Sequence, residues 1–187
     1  MNLDLWFPTP IWSSELLINL EKPINKCLEL ETKLTSVERS NVGGFQSDLI
    51  DWDTHKEFLE CRKVIVNNLQ KIIEEQKIGS VRLTNFWINI NRKGNFNKQH
   101  FHPQSFLSGC LYLKTPINSG KIIFKRPDVM QHYASHLESP IFFLECFYNP
   151  CPGMLLLFPS WVGHYVEPNN SDEPRISIAF NIERLPS

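Results

Sequence analysis

Two histidines separated by one residue form the pattern in this chain best suited to chemistry: His100 and His102, within Gln99-His100-Phe101-His102-Pro103. Residues two apart on an extended backbone project to the same side, so both imidazoles can face one ion. Imidazole is the commonest protein ligand for transition metals. The pair predicts half of a metal site. The alternative is a pair of hydrogen-bonded structural histidines.

A third histidine, His164, follows Phe158-Pro159-Ser160-Trp161 far downstream. Pro159 and Gly163 predict a bend, after which a strand resumes at the histidine. His164 can complete a metal site with the first pair, although a hydrogen-bonded core histidine fits the same pattern. We expect the remaining histidines at the surface: His55, His132 and His136.

Arg175 begins a predicted strand whose alternation places it on one face with Ser177 and Ala179. An arginine beside such small side chains requires an anionic partner. Either it forms a surface ion pair with Asp172 or Glu173, or it faces inward. An inward guanidinium would suit a bound carboxylate, which its planar fork grips with two hydrogen bonds.

The composition is typical of an ordinary globular protein. The 187 residues include 19 basic and 20 acidic side chains. The chain therefore lacks the surplus of Lys and Arg with which nucleic-acid-binding proteins neutralise phosphates. The apolar runs are too short to cross a bilayer, and no basic segment leads into an apolar one at the N-terminus. Five cysteines without Cys-X-X-Cys spacing indicate buried free thiols in a reducing compartment. We therefore expect a cytoplasmic protein that binds neither nucleic acid nor membrane.

Two helices are predicted in the N-terminal part of the chain, residues 1–80. The first runs from Ile24 to about Thr32, and the second from Thr54 to about Lys77 with a Thr-X-X-Glu capping box at its start. Residues 3–12 indicate an edge strand broken by prolines. The segment from Ser36 to Asp53 lacks periodicity and is predicted to be a loop.

From residue 81 the hydrophobic period changes to two, which predicts strands through residue 187. On the first of these strands, Phe86, Ile88 and Ile90 share one face, and Asn85, Trp87 and Asn89 share the other. The second face either lines a pocket or belongs to an ordinary half-buried sheet. Turns rich in Pro, Gly, Asn and Ser separate the later strands: Phe106 to Lys114, Lys121 to Lys125, Ile141 to Tyr148, Gly153 to Phe158, Tyr165 to Glu167 and Arg175 to Glu183. This series predicts one mainly β domain, an antiparallel double-sheet jelly roll with the two helices packed on its outer face.

The chain resembles the 2-oxoglutarate- and iron(II)-dependent oxygenases known chiefly from marine bacterial and phage genomes, a family of the double-stranded β-helix superfamily. The matching motifs cover nearly the whole chain: Leu5-Trp6-Phe7-Pro8-Thr9-Pro10-Ile11, Gly43-Gly44-Phe45-Gln46-Ser47, Gly94 with His100-X-His102-Pro103, Ser108-Gly109-X-X-Tyr112, Gly153-X-Leu155-X-Leu157-Phe158-Pro159-Ser160-Trp161 with His164, and Arg175-Ile176-Ser177-Ile178-Ala179-Phe180-Asn181. The combined pattern is specific, whereas each motif alone is not.

The resemblance implies an iron(II) site. The wider superfamily binds iron with a His-X-Asp/Glu pair and a distant histidine. In this sequence His102 stands where the acid is expected. Either His100, His102 and His164 form a three-histidine site, which we favour, or two of them bind and water or a remote carboxylate such as Asp128 completes it. The metal identity depends on which is correct.

The resemblance also implies 2-oxoglutarate as cosubstrate. Its far carboxylate would pair with Arg175, helped by the Ser177 hydroxyl. Tyr112 would hydrogen-bond a carboxylate of 2-oxoglutarate, unless it is a core tyrosine. The implied reaction is hydroxylation of an unidentified substrate with release of succinate and CO2, in which no catalytic residue beyond the metal ligands is assigned.

Two other classes of protein fit the same residues. One is a cupin-like jelly-roll protein that binds a metal or a small acid without oxygenase turnover. The other is a structural or assembly protein in which the histidines merely pack. The sequence leaves the oligomeric state open, with a homodimer as one option.

Overall fold

Strands dominate the computed structural model of the protein, which describes residues 7–128 and 143–186. Every strand pairing is antiparallel. In chain order the elements are β1 (Trp12–Glu15), α1 (Glu21–Lys33), β2 (Asn41–Val42), β3 (Phe45–Gln46), a 3-10 turn (Lys56–Phe58), α2 (Leu59–Gln76), β4 (Val81–Asn91), β5 (Phe96–His100), β6 (Leu107–Lys114), β7 (Ile122–Lys125), β8 (Glu145–Tyr148), β9 (Met154–Pro159), β10 (His164–Val166) and β11 (Arg175–Arg184).

The strands form two sheets, which confirms the predicted jelly roll. One sheet has the strand order β1-β9-β6-β11-β4-β3, and the other has the order β2-β5-β10-β7-β8. Consecutive strands fall in different sheets at several points, so segments distant in sequence become neighbours. The strand that begins at Arg175 lies between β6 and β4 in the centre of the first sheet.

Period-two alternation gives the first sheet two different faces. Phe86, Ile88 and Ile90 of β4 are fully buried in a core cluster that also contains Cys61 and Ile65 of α2. The two helices therefore cover the outer face of this sheet, as predicted. Burial of large apolar side chains drives this packing, at about 1.5–3 kcal/mol for each. The opposite face is left for the space between the sheets.

The second helix begins later than the sequence predicts. The capping box at Thr54 does not form; a 3-10 turn precedes α2, and its N-cap residue Phe58 makes no side-chain cap hydrogen bond. Phe58 is instead fully buried, with its ring centroid 4.9 Å from that of Phe86. Core packing thus overrides the local capping signal. The first helix is slightly longer than predicted, from Glu21 to Lys33.

Two strand predictions are corrected. Residues 7–11 are not a strand, because prolines at 8 and 10 cannot donate to a ladder, and pairing begins at Trp12. The expected loop of residues 36–53 contains β2 and β3, which pair with β5 and β4. Residues 3–6 of the predicted N-terminal edge strand and residues 141–142 of the predicted strand from Ile141 to Tyr148 lie outside the described residues, as do His132 and His136. Within the described ranges, no helix is both long enough and apolar enough to span a membrane.

Candidate metal centre

Three strand ends bring the candidate ligands together. His100 ends β5 and His164 begins β10, and the two are direct partners in the antiparallel register of the second sheet. His102 lies two residues beyond β5, where its backbone N–H donates to the carbonyl oxygen of Ser160 at 2.9 Å. That hydrogen bond ties the segment after β5 to the segment after β9, which leads to His164.

The three imidazoles form a compact cluster. Ring centroids are 4.3 Å apart for His100 and His164, and 5.2 Å for His102 with each of the others. One ring nitrogen of each lies within 4.8 Å of the other two, so a single ion could be held by all three. Among the described residues, this cluster contains no carboxylate. Asp128, the alternative ligand, is about half exposed and forms an ion pair with Arg126 at 2.6 Å.

Backbone carbonyls orient two of the rings. Nδ1 of His100 lies 2.8 Å from the carbonyl oxygen of Lys98, and Nδ1 of His164 lies 3.0 Å from that of Val162. A carbonyl oxygen only accepts, so each Nδ1 carries the proton and donates it. Each Nε2 is left with a lone pair, the arrangement typical of metal-binding histidines.

A side-chain network orients the third ring. Nδ1 of His102 donates to Oδ1 of Asn181 at 2.8 Å. The same oxygen accepts from the Ser108 hydroxyl at 2.8 Å, and that hydroxyl contacts the Ser160 hydroxyl at 2.7 Å. Asn181 and Ser108 were missed in the sequence as orienting residues. The alternation that places Arg175 and Ser177 on one face extends to Asn181, so the signal was present.

The second ring nitrogen of His102, Nε2, is buried and has no hydrogen-bond partner among the described residues. Leaving a buried polar nitrogen unpaired costs about 1–3 kcal/mol. A metal ion would satisfy this lone pair, so the residues present fit the group that the sequence implies.

Burial keeps the three rings uncharged. It lowers the pKa of His102 to about 4 and that of His164 to about 3, and the nearby His100 lowers both further. Burial also lowers the pKa of His100. Neutral imidazoles at pH 7 are ready to bind a metal without first losing protons.

The guanidinium of Arg175 faces inward. The residue is only 2% exposed. Its Nη1 donates to the carbonyl oxygens of Ser119 and Glu167, while its Nη2 is buried without a hydrogen-bond partner among the described residues. Burying a guanidinium without a carboxylate that accepts two of its hydrogen bonds costs free energy. Burial also lowers the pKa of Arg175.

The alternative of a surface ion pair for Arg175 is wrong. Asp172 pairs with Lys93, and Glu173 pairs with Lys114, both at 2.7 Å on the surface. The acids proposed as partners are thus occupied elsewhere.

A narrow pocket between the sheets joins the histidines to Arg175. Tyr112 and Ser177 both line it and are partners in the register of β6 and β11. Tyr112 is 2% exposed, and burial raises its pKa well above the ordinary value. Trp87 and Asn89 also line the pocket, with the Trp87 ring centroid 5.6 Å from that of His102.

The fold is a double-stranded β-helix, the architecture of 2-oxoglutarate (2OG) and iron(II) oxygenases, and the candidate site in it is a cluster of three histidines. Residues 85–181 match the family model described as "Putative 2OG-Fe(II) oxygenase". The chain belongs to this family. The matched range contains the three histidines, Arg175 and Asn181. A search of curated proteins found no match.

Several solved structures share the fold. A prolyl-4-hydroxylase from Pseudomonas putida superposes with a TM-score of 0.68 at 18% identity, over 95% of this chain and 94% of that chain. A viral collagen prolyl hydroxylase from Paramecium bursaria Chlorella virus-1, solved with 2OG, gives 0.66 at 12% identity, over 94% and 96%. HygX from Streptomyces hygroscopicus, with nickel and 2-oxoglutarate bound, gives 0.64 at 10% identity, over 94% and 83%.

Proposed function

We propose that this protein is an iron(II)- and 2-oxoglutarate-dependent hydroxylase. One observation carries the proposal: two buried polar atoms, each without a hydrogen-bond partner among the described residues, belong to residues that line one pocket. They are Nε2 of His102 and Nη2 of Arg175. A metal-binding site and a carboxylate-binding site in the same narrow pocket match the two ends of a metal-chelating keto acid.

At the metal end, His100, His102 and His164 would hold iron(II) through their Nε2 atoms. The acceptors of their Nδ1 protons fix all three rings before metal binds, which reduces the ordering cost. Three neutral ligands leave the positive charge of the metal uncompensated by the protein. An anionic cosubstrate bound beside them would supply the missing negative charge.

At the other end, Arg175 would bind the far carboxylate of 2-oxoglutarate. Carbonyl oxygens already hold its Nη1, so the guanidinium is preorganised, and the unpaired Nη2 points to a further acceptor. Ser177 and Tyr112 line the pocket and offer hydroxyl donors. The apolar walls around Phe158 and Ile122 would exclude water and strengthen the ion pair.

Iron and 2-oxoglutarate, when bound, would use O2 to convert 2-oxoglutarate to succinate and CO2 and to place one oxygen atom on the substrate as a hydroxyl group. The protein contributes geometry: it orients the imidazoles, anchors the cosubstrate and keeps the pocket dry. Hydroxylation is the favoured reaction because two of the similar structures are prolyl hydroxylases by name. A cupin-like protein that binds metal or acid without turnover is the alternative to test against.

Anaerobic addition of iron(II) and then 2-oxoglutarate tests the proposal. Chelation of iron by a keto acid should produce a visible charge-transfer absorption, and subsequent addition of oxygen should generate succinate. Binding without succinate would favour the cupin-like alternative. Absence of both metal retention and absorption would refute the proposed function.

A further inference from the structure

A wide cleft lies above the candidate metal centre. Its volume is about 580 Å³, within the range of sites that hold metabolite-sized or drug-sized ligands. His100 and His102 contribute to its lining, so a molecule bound there would lie beside the metal. The cleft differs from the narrow pocket that reaches Arg175. A molecule oxidised at the histidine cluster would have room to bind in this cleft.

Gln46 lines this cleft, and the Oε1 oxygen of its carboxamide has no hydrogen-bond partner among the described residues. On β3, Phe45 packs into the core beneath the helices, so Gln46 points to the opposite side, beside its register partner Asn89. Gln46 is 7% exposed, and its Oε1 is buried with no hydrogen-bond partner in the described chain.

The backbone of Gln46 is fully anchored. Its N–H donates to the Ser36 hydroxyl at 3.1 Å, and its carbonyl accepts from the Val37 N–H at 2.9 Å. These two hydrogen bonds hold the strand without involving Oε1 of Gln46. A buried acceptor left unpaired is destabilising, and a bound ligand with an N–H or O–H group would satisfy it.

We propose that the Gln46 carboxamide is the hydrogen-bonding anchor for the molecule that this enzyme oxidises. The proposal rests on the proposed function, because it takes the histidine cluster as the reaction centre. Oε1 of Gln46 accepts from an N–H or O–H of that molecule and sets its position relative to the metal. Gln46 is thus a specificity-determining residue rather than a structural one.

The charges around the cleft define the rest of the ligand. Arg39 and Lys98 line it, and neither forms an ion pair with a residue in the described ranges. Asp48 is the one carboxylate among the described residues that line the cleft. Leu49 and Phe101 add exposed apolar surface, at 61% and 58%. The ligand chemistry that fits is an anion with a nearby N–H or O–H donor and an apolar part. N-acylated amino acids and acidic peptide segments both offer it.

A substrate panel tests both parts of the proposal. One arm uses the twenty N-acetyl-L-amino acids, and the other uses acetylated, amidated pentapeptides in which glutamates flank each amino acid in turn. We expect one arm to raise succinate formation above the background without substrate, and the arm that responds identifies the source of the anion. In Gln46→Leu, kcat/KM for that compound should fall about tenfold, because the loss of one hydrogen bond to the substrate has an effect of about this size. The same change at the exposed residue Gln70 should have no effect.

The outcomes separate the two proposals. If neither arm responds although iron and 2-oxoglutarate bind, the ligand class is wrong. If Gln46→Leu turns over the compound as the wild type does, the anchor role is wrong. If the charge-transfer absorption is absent from every variant and the wild type, the proposed function itself fails.

Thermal unfolding supplies a readout that requires no substrate. Gln46→Leu removes the unpaired acceptor at similar volume, so Tm should rise by about 2–4 °C. Asn97→Leu is the opposite control, because Asn97 is buried with both ends of its carboxamide paired, and it should lower Tm. A fall in Tm for Gln46→Leu would make Gln46 part of the fold and overturn the proposal.

Discussion

His102 and Asn181 are 79 residues apart in sequence, yet Oδ1 of Asn181 accepts the Nδ1 proton of His102 at 2.8 Å. This hydrogen bond directs Nε2 of the ring toward His100 and His164. The hydrogen bond also holds the ring in one tautomer, so Nε2 carries the lone pair that the proposed iron site requires.

Asn181→Leu should therefore weaken metal binding about 10–100-fold, because the His102 ring loses the partner that sets its tautomer and orientation. Asn181→Asp should retain most of the affinity, since a carboxylate accepts the same proton. Anaerobic titration with iron(II) or cobalt(II) measures both. Asn67→Leu on the exposed side of α2 is the matched control. Equal affinities for Asn181→Leu and the wild type would contradict the assignment.

His102→Ala tests whether the third imidazole is a ligand. We expect the bound iron to fall well below one equivalent, because two imidazoles remain and no carboxylate of the described cluster replaces the third. Metal analysis after gel filtration gives the stoichiometry. His55→Ala, at the partly exposed ring beside Phe58, should retain a full equivalent. Stoichiometric iron with undiminished succinate formation in His102→Ala would show that His102 does not bind the metal.

Arg175→Leu should weaken 2-oxoglutarate binding by about 10–150-fold, the equivalent of one charged hydrogen-bonded contact, while iron binding is unchanged. The amplitude of the charge-transfer band against 2-oxoglutarate concentration measures this affinity. Because Arg175 is buried, Arg175→Lys is included to keep a positive charge with less disturbance. It should bind more weakly than the wild type, since an ammonium lacks the planar fork.

The control for these arginine variants is Arg82→Leu, which removes a surface ion pair with Glu183. It should leave 2-oxoglutarate affinity unchanged. An unaltered affinity in Arg175→Leu would mean that the far carboxylate binds elsewhere.

The cysteines should differ in reactivity. Cys27, Cys61 and Cys110 are buried, and burial raises the pKa of Cys61 and of Cys110 to about 12, so they lack thiolate at pH 8. Cys146 and Cys151 are partly exposed, although burial raises their pKa values as well. Their alkylation should accelerate as pH rises from 7 to 9, because the thiolate fraction grows.

Mass spectrometry after iodoacetamide treatment checks this ordering, with denatured protein as the control in which all five thiols react. Rapid modification of Cys110 in the folded protein would contradict the buried environment of that thiol.

The sequence by itself determined which side chains form the candidate site and how the helices and the sheet are layered. His-X-His on an extended segment, the distant His164 and the face shared by Arg175 and Ser177 follow from residue type and a period of two. The apolar alternation on β4 likewise fixed which face of the sheet the helices cover. These are local rules, so a single sequence is enough to apply them.

Only the tertiary structure decided which of these side chains contact one another. The role of Asn181 as the acceptor of the His102 proton depends on contacts between segments far apart in sequence. So does the position of Gln46 beside the candidate metal centre, with its Oε1 unpaired among the described residues. The capping box at Thr54 failed for the same reason, because burial of Phe58 against Phe86 outweighs one local hydrogen bond. Contacts across the sheets are set by packing of the whole chain, and no window of sequence contains that information.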